Sequence, residues 1–289
     1  MWFSDKWNDY RLLCGAAGEK KEVWGKYTYV RPDPQIIWNK NMDRRADGIY
    51  HRSNTGGGRW EFKNPDSEHG QIISYGDIKF FVKPMGFKHM GLFPEQAVNW
   101  DFMRSAIENA GREIRVLNLF AYTGGATVAC LKAGAYVCHV DAAKGIVAHA
   151  RQNVELNHLE GERVRYIVDD CLKFVQREAR RGKTYDAIIM DPPSYGRGPG
   201  GEVWKIEDEL YNLIDSCMQI LSSAPLFFAV NSYTTGLSST SVSNLLSQLL
   251  CKKYGGFVMS DEIGIPFEDS DLILPCGSTA RWISGDIND

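Results

Sequence analysis

The segment Asp191-Pro192-Pro193-Ser194-Tyr195 has the residue types that could hold an amino nucleophile. Its two prolines fix a rigid loop and remove two N–H donors, so the Asp191 carboxylate and the backbone carbonyls remain as acceptors. Such acceptors can bind the N–H groups of an amino nitrogen and orient its lone pair, so that catalysis is mostly positioning. Tyr195 adds an aromatic face on which a planar base could stack. The alternative is an ordinary turn that ends a strand.

A second candidate site lies in residues 116–127, which read VLNLFAYTGGAT. The apolar run Val116–Phe120 predicts a short buried strand, Gly124 and Gly125 predict a tight turn, and residues 126–133 predict a helix. Glycines let a ligand approach the backbone closely, and a helix N-terminus offers N–H groups. This arrangement is typical of the nucleotide-sized pockets of α/β proteins.

Acidic residues follow the next two predicted strands. Asp141 comes 23 residues after Asn118, where a carboxylate can accept both hydroxyls of a ribose. Of the pair Asp169-Asp170, Asp170 is the candidate for the amino group of an adenine. Helix capping is the alternative role for these acids.

Together, the glycine turn and the two acids indicate an adenosine-containing ligand, which fits both NAD and S-adenosylmethionine. The absence of a Gly-x-Gly-x-x-Gly spacing counts against NAD. The acceptor-rich segment at Asp191 favours the methyl donor, because an amino nucleophile needs such acceptors beside a sulfonium methyl group.

These sites need a scaffold, and from Arg115 onward predicted strands and helices alternate, as in a parallel sheet. The predicted strands are Arg115–Phe120, Tyr136–Val140, Val164–Val168, Tyr185–Met190, Leu226–Asn231, Gly256–Ser260 and Ala280–Ile283. The predicted helices are Glu95–Ala110, Ala126–Lys132, Gly145–Asn157, Cys171–Arg181, Glu207–Leu221 and Ser241–Lys252. We therefore expect residues 113–289 to form the ligand-binding domain, with residues 86–112 as a connecting segment and helix.

Residues 1–85 predict a small β-rich domain or extension. Trp24–Val30 and Gln35–Trp38 are predicted strands, and residues 51–60 a glycine-rich hairpin or loop. Gly76-Asp77 is a strong turn signal between the strands Gln71–Tyr75 and Ile78–Val82. In the glycine-rich segment, Arg52 and Arg59 flank three glycines; they could contact phosphate, or the segment could be a plain turn.

Composition limits the possible function classes. The net charge of −3 argues against a generally basic nucleic-acid binder, but residues 1–90 carry 15 Lys+Arg against 11 Asp+Glu and the remainder 18 against 25. A mildly basic N-terminal third could therefore face a polyanion, although chance asymmetry is an equal alternative.

The sequence predicts no transmembrane helix, no secretory signal and no metal site. Seven scattered cysteines without a Cys-x-x-Cys pair favour reduced thiols in a cytoplasmic protein.

On these motifs the chain resembles the class I S-adenosylmethionine-dependent methyltransferases. Within that family it is most similar to the bacterial 23S rRNA base methyltransferases of the cytosine-C5 and guanine-N7 types and to their uncharacterised relatives. The resemblance covers about residues 85–285 and is carried by Asn118–Gly125, Ala150–Asn157, Asp169-Asp170-Cys171 and Asp191-Pro192-Pro193. It implies an α/β fold with a Rossmann-like seven-stranded sheet whose last strand is antiparallel, beside the small N-terminal β-rich domain.

The resemblance also implies a donor pocket over the strand ends. Its residues would be Gln96, Asn118, Phe120, Tyr122, Thr123, Gly124, Gly125, Asp141, Asp170, Cys171 and Asp191. The segment around His89, Phe93 and Gln96 would fold over the donor.

Two departures from the family narrow the expected reaction. The rRNA enzymes often carry an N-terminal PUA-type RNA-binding domain, for which the sequence shows no room. The cytosine-C5 enzymes need a nucleophilic cysteine, but the two positions that would hold it are Tyr233 and Pro193. Transfer to a nitrogen therefore fits better than covalent transfer to a ring carbon.

We accordingly expect a methyltransferase that uses S-adenosylmethionine to modify a base nitrogen, with RNA, in particular rRNA, as the favoured substrate. Asp191 and the Pro192 carbonyl would position the acceptor nitrogen, and Tyr195 would stack on the base. The glycine-rich loop 196–205 is expected to be mobile, with Trp204 either binding substrate or packing onto the body. The candidate substrate-binding residues are Ser194, Tyr195, Arg197, Trp204 and Lys205. The alternatives are methylation of a small molecule or a protein side chain, and a donor-binding module without transfer activity.

Overall fold

The computed structural model describes residues 1–38, 40–53, 56–161, 163–197 and 203–285. The chain forms two compact units. The β-rich unit comprises Trp2–Val98 and Ile263–Cys276, and the α/β unit comprises Met1, Asn99–Glu262 and Gly277–Asp289. The boundaries expected from the sequence, at residues 85 and 112, stay a prediction.

The β-rich unit is built from short, mostly antiparallel strands. They are β1 (Trp2–Phe3), β2 (Tyr10–Ala16), β3 (Glu19–Trp24), β4 (Tyr27–Pro32), β5 (Gly48–Arg52), β6 (Gly58–Phe62), β7 (Gln71–Tyr75) and β8 (Ile78–Val82). Strands β2 to β6 form one sheet in chain order, in which only the β4–β5 pair is parallel. The β7–β8 pair is a separate hairpin, and 3₁₀ turns span Pro65–Glu68 and Pro94–Gln96.

One strand prediction in this unit, Gln35–Trp38, is wrong and another, Trp24–Val30, is right only from Tyr27 onward, whereas both hairpin predictions are confirmed. Residues 24–30 are not one strand, because Gly25 adopts a left-handed conformation (φ 56°) and makes the turn between β3 and β4. Gln35–Trp38 is not a strand either. Its buried Ile36 lies in a turn, where the Ile36 N–H donates to the Asp33 carbonyl at 3.2 Å.

A buried ion cluster organises this unit. The carboxylate of Glu22, fully buried on β3, accepts hydrogen bonds from Arg31 Nε at 2.7 Å and from Tyr10 Oη at 2.8 Å. Lys20 Nζ lies 3.5 Å from the same carboxylate and 3.1 Å from Asp33. Burial alone would raise the pKa of Glu22, but Arg31 and Lys20 outweigh it and lower that pKa to about 2. The carboxylate is therefore ionised and compensates the buried Arg31 and the partly buried Lys20.

The α/β unit contains the larger sheet. Its strands are β9 (Arg115–Leu119), β10 (Tyr136–Asp141), β11 (Val164–Val168), β12 (Ala187–Met190), β13 (Tyr195–Arg197), β14 (Val203–Lys205), β15 (Phe227–Ser232), β16 (Phe257–Pro266) and β17 (Ile273–Ile283). Its helices are α1 (Ala97–Asn109), α2 (Gly125–Lys132), α3 (Lys144–Leu156), α4 (Cys171–Arg180), α5 (Ile206–Met218), α6 (Ser239–Leu246) and α7 (Lys252–Tyr254). Some end residues of α1, β16 and β17 belong to the β-rich unit.

The sheet order is β1-β16-β17-β15-β12-β9-β10-β11, and β17 runs antiparallel to β15. The expected α/β architecture with a reversed last strand is confirmed, and the two-residue strand β1 adds an eighth member. The predicted helix Ser241–Lys252 is helical throughout, but a π-helical turn at Ser247–Cys251 separates α6 from α7. In the part of the chain that the structure describes, no helix is both long and apolar enough to cross a bilayer.

The buried ion cluster makes a testable difference to stability. Replacing Glu22 by Gln leaves Arg31 and Lys20 without their carboxylate, so the free energy of unfolding at neutral pH should fall by roughly 3–5 kcal/mol. The difference from wild type should shrink as the pH falls from about 5 towards 2, because a carboxylate with a lowered pKa contributes its stability only while ionised. Urea unfolding followed by tryptophan fluorescence measures both effects.

The matched control is Glu268→Gln. Glu268 pairs with Arg11 at 2.8 Å, but both side chains are about half exposed, so its loss should cost less than about 1 kcal/mol. Equal losses in the two variants would contradict the role assigned to the buried cluster.

Candidate active site

The candidate site residues follow neighbouring parallel strands of the α/β unit. In the sheet, β12 pairs with β9 and β9 pairs with β10, all parallel, so their carboxyl ends meet at one edge. Backbone hydrogen bonds join the segments that leave this edge: Ala121 N–H to Val140 O at 3.1 Å, and Asp191 N–H to Leu119 O at 3.4 Å. The glycine turn, Asp141 and the Asp191 segment therefore lie together.

The turn after β9 is held in an unusual backbone conformation. Phe120 (φ 52°), Tyr122 (φ 49°) and Gly124 (φ 87°) all lie in the left-handed region. That region costs a residue with a side chain about 1–2 kcal/mol, and such strain concentrates at functional sites. Neighbouring side chains hold it in place: the Phe120 N–H donates to Cys171 Sγ at 3.3 Å, and the Tyr122 N–H donates to Asp141 Oδ2 at 3.0 Å.

The two glycines are required for different reasons. Gly124 has a left-handed φ and precedes α2 as its N-cap. Gly125 begins α2, and a Cβ there would lie 2.6 Å from Cζ2 of Trp100. The first N–H groups of α2 have no acceptor within the helix, so they can serve a ligand. The backbone of the turn therefore carries no side chain at these two positions, which lets a nucleoside approach it closely.

Asn118 and Thr123 lie below the turn, in the interior. Asn118 Nδ2 donates to Thr127 Oγ1 at 3.0 Å, and that oxygen lies 2.9 Å from His139 Nδ1. Burial lowers the pKa of His139 to about 3, so its ring is neutral. The carbonyl of buried Thr123 accepts a hydrogen bond from Asn153 Nδ2 at 2.9 Å. These contacts attach the start of α2 to β9 and β10 and the turn to α3.

Asp141 holds the turn in place by hydrogen bonds and still has acceptor positions for a ligand. Its Oδ2 accepts from the Tyr122 N–H, and its Oδ1 accepts from the Ala143 N–H at 2.9 Å. Burial raises the pKa of Asp141, and the two backbone N–H groups partly offset that rise. Since a carboxylate has about four acceptor positions, both hydroxyls of a ribose can still be accepted. Residue Ala143, rather than Asp141, is the N-cap of α3.

The acids after β11 divide their roles. Asp170 is the N-cap of α4, and its Oδ1 accepts a hydrogen bond from the Lys173 N–H at 2.8 Å. This is the capping role that the sequence left as an alternative. Asp169 forms an ion pair with Arg177. Cys171 is buried beneath the turn, and burial raises the pKa of its thiol well above the ordinary value.

The acceptor side is a partly buried Asp191 and a buried Pro192, followed by Ser194 and a half-exposed Tyr195. The described ends of loop 196–205 pair as strands, with Tyr195 opposite Lys205 in the antiparallel pair of β13 and β14. The loop is thus a hairpin at its base. Residues 198–202 and the Arg197 side chain lie outside the described part of the chain.

Trp204 packs back onto the body of the protein. Its Nε1 donates to the Pro193 carbonyl at 2.6 Å, and its ring centroid lies 5.5 Å from that of Phe120. Ser194 is fixed by Thr234, whose hydroxyl donates to Ser194 Oγ at 2.6 Å. Lys205 is exposed where α5 begins. Trp204 therefore joins the acceptor segment to the donor turn.

Gln96 belongs to the β-rich unit, where it is buried at the end of the 3₁₀ turn Pro94–Gln96.

No group of three or more potential metal ligands occurs within the described ranges.

Sequence reasoning missed four supporting residues, Trp100, Thr127, His139 and Asn153. Asn153 lies in the segment 150–157 that carried the family resemblance, and Thr127 ends the glycine-turn motif. Trp100 and His139 gave no signal, because their roles depend on which strands and helices are neighbours.

Comparison with known proteins assigns the family. Residues 61–211 match a family model described as S-adenosylmethionine-dependent methyltransferase. A methyltransferase structure from Agrobacterium tumefaciens described as SAM dependent is 37% identical, with a TM-score of 0.91, and the match covers 98% of this chain and 93% of that one. A methyltransferase complexed with SAH is 20% identical with a TM-score of 0.69, over 96% of this chain and 76% of that one; this likeness shows the fold alone.

A curated relative covers a smaller part of the chain. The ribosomal RNA large subunit methyltransferase I of Salmonella arizonae is 36% identical over 132 residues, which are 45% of this chain and 30% of that protein. The chain thus matches less than a third of the relative's length. The family model and the Agrobacterium structure span the glycine turn, Asp141 and the Asp191 segment. The chain therefore belongs to the family of S-adenosylmethionine-dependent methyltransferases.

Proposed function

We propose that this methyltransferase transfers the methyl group of S-adenosylmethionine to a nitrogen of a nucleic-acid base, and that the base belongs to RNA. One observation carries the proposal: the acceptor-rich Asp191-Pro192 segment is hydrogen-bonded to the donor strand, through Asp191 N–H and Leu119 O. Acceptors for an amino group thus lie beside the turn that fits an adenosine.

The donor-side roles follow from the positions of the side chains. Asp141 accepts the ribose hydroxyls, and the N–H groups at the start of α2 face the amino acid part of the donor. Phe120 and Tyr122 form the wall of the turn, with Cys171 behind it. Asp170 keeps its Oδ2 for the adenine amino group while its Oδ1 caps α4. Asn118 and Thr123 act through their neighbours, so we assign them a positioning role. Gln96 stays a prediction from the family resemblance.

On the acceptor side, Asp191 and the Pro192 carbonyl receive the N–H bonds of the substrate, which turns the lone pair towards the methyl carbon. S-adenosylmethionine supplies that carbon on a sulfonium: the C–N bond forms as the C–S electron pair moves to sulfur, and the nitrogen releases a proton to solvent. Tyr195, half exposed beside this loop, stacks on the base.

The cysteines support transfer to nitrogen. All seven cysteines, each within the described residues, are free thiols. Those of the α/β unit all have raised pKa values because of burial, to about 12 for Cys130 and about 11 for Cys138. An addition to a ring carbon needs a thiolate. Tyr233, at one family cysteine position, packs beside Gly277, where a Cβ would lie 3.0 Å from its ring.

The RNA substrate is supported by the name of the curated relative and by the residues around the acceptor segment. Ser194, just before β13, and Lys205, at the end of β14, are exposed beside Tyr195, and Arg197 is added from the sequence alone. Hydroxyl, aromatic and cationic groups are those that bind an unpaired nucleotide. The cytoplasm is the proposed location, since an RNA substrate and seven reduced cysteines both fit it.

The substrate class is tested by methyl-label transfer. Purified protein is incubated with methyl-labelled S-adenosylmethionine and with separate RNA, protein and metabolite fractions from cells that lack the enzyme. Label should enter RNA and release a methylated base on digestion. Label that enters only protein or metabolites would contradict the RNA proposal while leaving the family assignment intact.

Asp191→Ala in the same assay separates transfer from binding. Loss of an acceptor that orients the nucleophile should lower the transfer rate by about 100-fold or more, whereas donor affinity measured by calorimetry should remain within about threefold. Unchanged transfer would contradict the role of Asp191.

Asp141→Asn tests the donor pocket. The NH2 of the amide faces one of the two backbone donors, Tyr122 N–H or Ala143 N–H, which loses its acceptor, and the side chain loses its charge towards the ribose. The affinity for S-adenosylmethionine should therefore fall about 10- to 100-fold. Calorimetry at neutral pH measures it. The matched control is Asp215→Asn, because Asp215 is exposed on α5; unchanged affinity in Asp141→Asn, or an equal fall in the control, would contradict the assignment.

A further inference from the structure

A short hairpin of the β-rich unit presents an exposed aromatic ring. Residues 83–90, here called the Phe87 hairpin, are closed by the Lys83 N–H to Met90 O bond at 3.0 Å and the Met85 N–H to His89 O bond at 2.9 Å. At its tip, Phe87 is 64% exposed. Single exposed apolar residues are common on protein surfaces, so the exposure of Phe87 needs a second argument.

The backbone of this hairpin is fixed from both sides. Trp60 Nε1 donates to the Met85 carbonyl at 2.8 Å and reaches the Phe87 carbonyl at 3.3 Å. Arg31 Nη1 donates to the Lys88 carbonyl at 2.7 Å. Trp60 itself packs between Tyr29 and Tyr50, with ring centroids at 5.8 and 5.4 Å. Phe87 therefore stands exposed on an ordered tip, and a partner that stacks on it loses little conformational entropy of the backbone.

Cations surround the same hairpin. Lys88 Nζ donates to the Pro32 carbonyl at 3.1 Å. The pKa of Lys88 is lowered first by burial and then, against the opposing effect of Asp33, by Lys20, Arg31 and Arg52. Burial, Arg31, Lys88 and Lys20 likewise lower the pKa of neighbouring His89 to about 4, so the imidazole is neutral. Because Lys20 and Arg31 are paired with the carboxylates of Glu22 and Asp33, Lys88 and Arg52 provide the excess positive charge at this hairpin.

An ordered, exposed aromatic ring beside excess positive charge fits one kind of partner well. Unpaired bases stack on aromatic side chains whatever their sequence, while Lys and Arg bind the phosphates between them. A base in a duplex is not available for such stacking. Because the chain as a whole has a net charge of −3, its whole surface attracts RNA only weakly. RNA would therefore bind preferentially where positive charge is locally in excess.

We propose that the Phe87 hairpin binds a single-stranded stretch of RNA, with the Phe87 ring stacking on one base and Lys88 and Arg52 binding the adjoining phosphates. The proposal rests on the RNA substrate proposed above. It gives the β-rich unit a role in substrate recognition, and it includes Arg52, one of the two arginines that flank the glycine segment of the β5–β6 hairpin.

The test is fluorescence anisotropy with the full chain and a labelled oligouridylate of about 12 nucleotides, a length within the usual site sizes. Phe87→Ala should weaken binding between about 5-fold and 150-fold, and Phe87→Tyr should restore it because the ring remains. Ile72→Ala is the matched control, since Ile72 is 53% exposed on β7. Wild-type affinity in Phe87→Ala, or an equal loss in Ile72→Ala, overturns the proposal.

The phosphate contacts have a separate readout. Lys88→Ala and Arg52→Ala should each reduce the slope of log affinity against log salt concentration by about 0.7, the value for one phosphate contact on a single strand. Lys26→Ala, which removes an exposed cation beside Tyr27, is the control and should leave the slope unchanged. Equal slopes in all three variants and wild type contradict the phosphate assignment.

This experiment also separates the two proposals. If wild type methylates RNA but Phe87→Ala binds and methylates it equally well, the docking site is wrong and the proposed function stands. If RNA binding depends on Phe87 but no label enters RNA, the docking site stands and the proposed function is wrong. Calorimetry with S-adenosylmethionine should give the same affinity for Phe87→Ala and wild type, which shows that the variant is folded.

Discussion

The turn after β9, the proposed donor site, depends on the hydrogen bond from the Tyr122 N–H to the Asp141 carboxylate. Two residues with side chains, Phe120 and Tyr122, hold left-handed conformations that an isolated chain would avoid. The bond to Asp141 and the bond from the Phe120 N–H to Cys171 offset that strain. Because Asp141 ends β10 and Cys171 follows β11, the conformation of the turn depends on the pairing of β9, β10 and β11.

A second constraint concerns how the sheet edge is connected to its surroundings. Trp100 excludes any side chain at Gly125, and Thr127 with His139 attaches α2 to the strands below it. Trp204 then joins Phe120 of the donor turn to the Pro193 carbonyl of the acceptor segment. The proposed donor and acceptor segments are thereby held by a few shared contacts, an arrangement that suits a reaction that depends on positioning.

The sequence predicted the parts of the structure that depend on local patterns. Alternating apolar runs located the strands of the α/β unit, and Gly76-Asp77 located a hairpin. It did not locate two local irregularities: Gly25 makes a turn inside one predicted strand, and a π-helical turn interrupts the predicted last helix. Candidate residues such as Asp141 and Asp191 could be named from spacing and resemblance. The positions of Trp100 and His139 could not, because each depends on contacts between segments far apart in the chain. For Trp204 the sequence left two alternatives, substrate binding and packing onto the body.

The turn after β9 is expected to bind the nucleoside part of the donor, and every role assigned around it depends on that. A crystal structure of the complex with S-adenosylhomocysteine tests it most directly. The ribose hydroxyls should lie within hydrogen-bond distance of the Asp141 carboxylate, at about 2.5–3.0 Å, with Phe120 and Tyr122 still in the left-handed region. A nucleoside bound elsewhere, or a ribose that does not contact Asp141, would contradict these assignments.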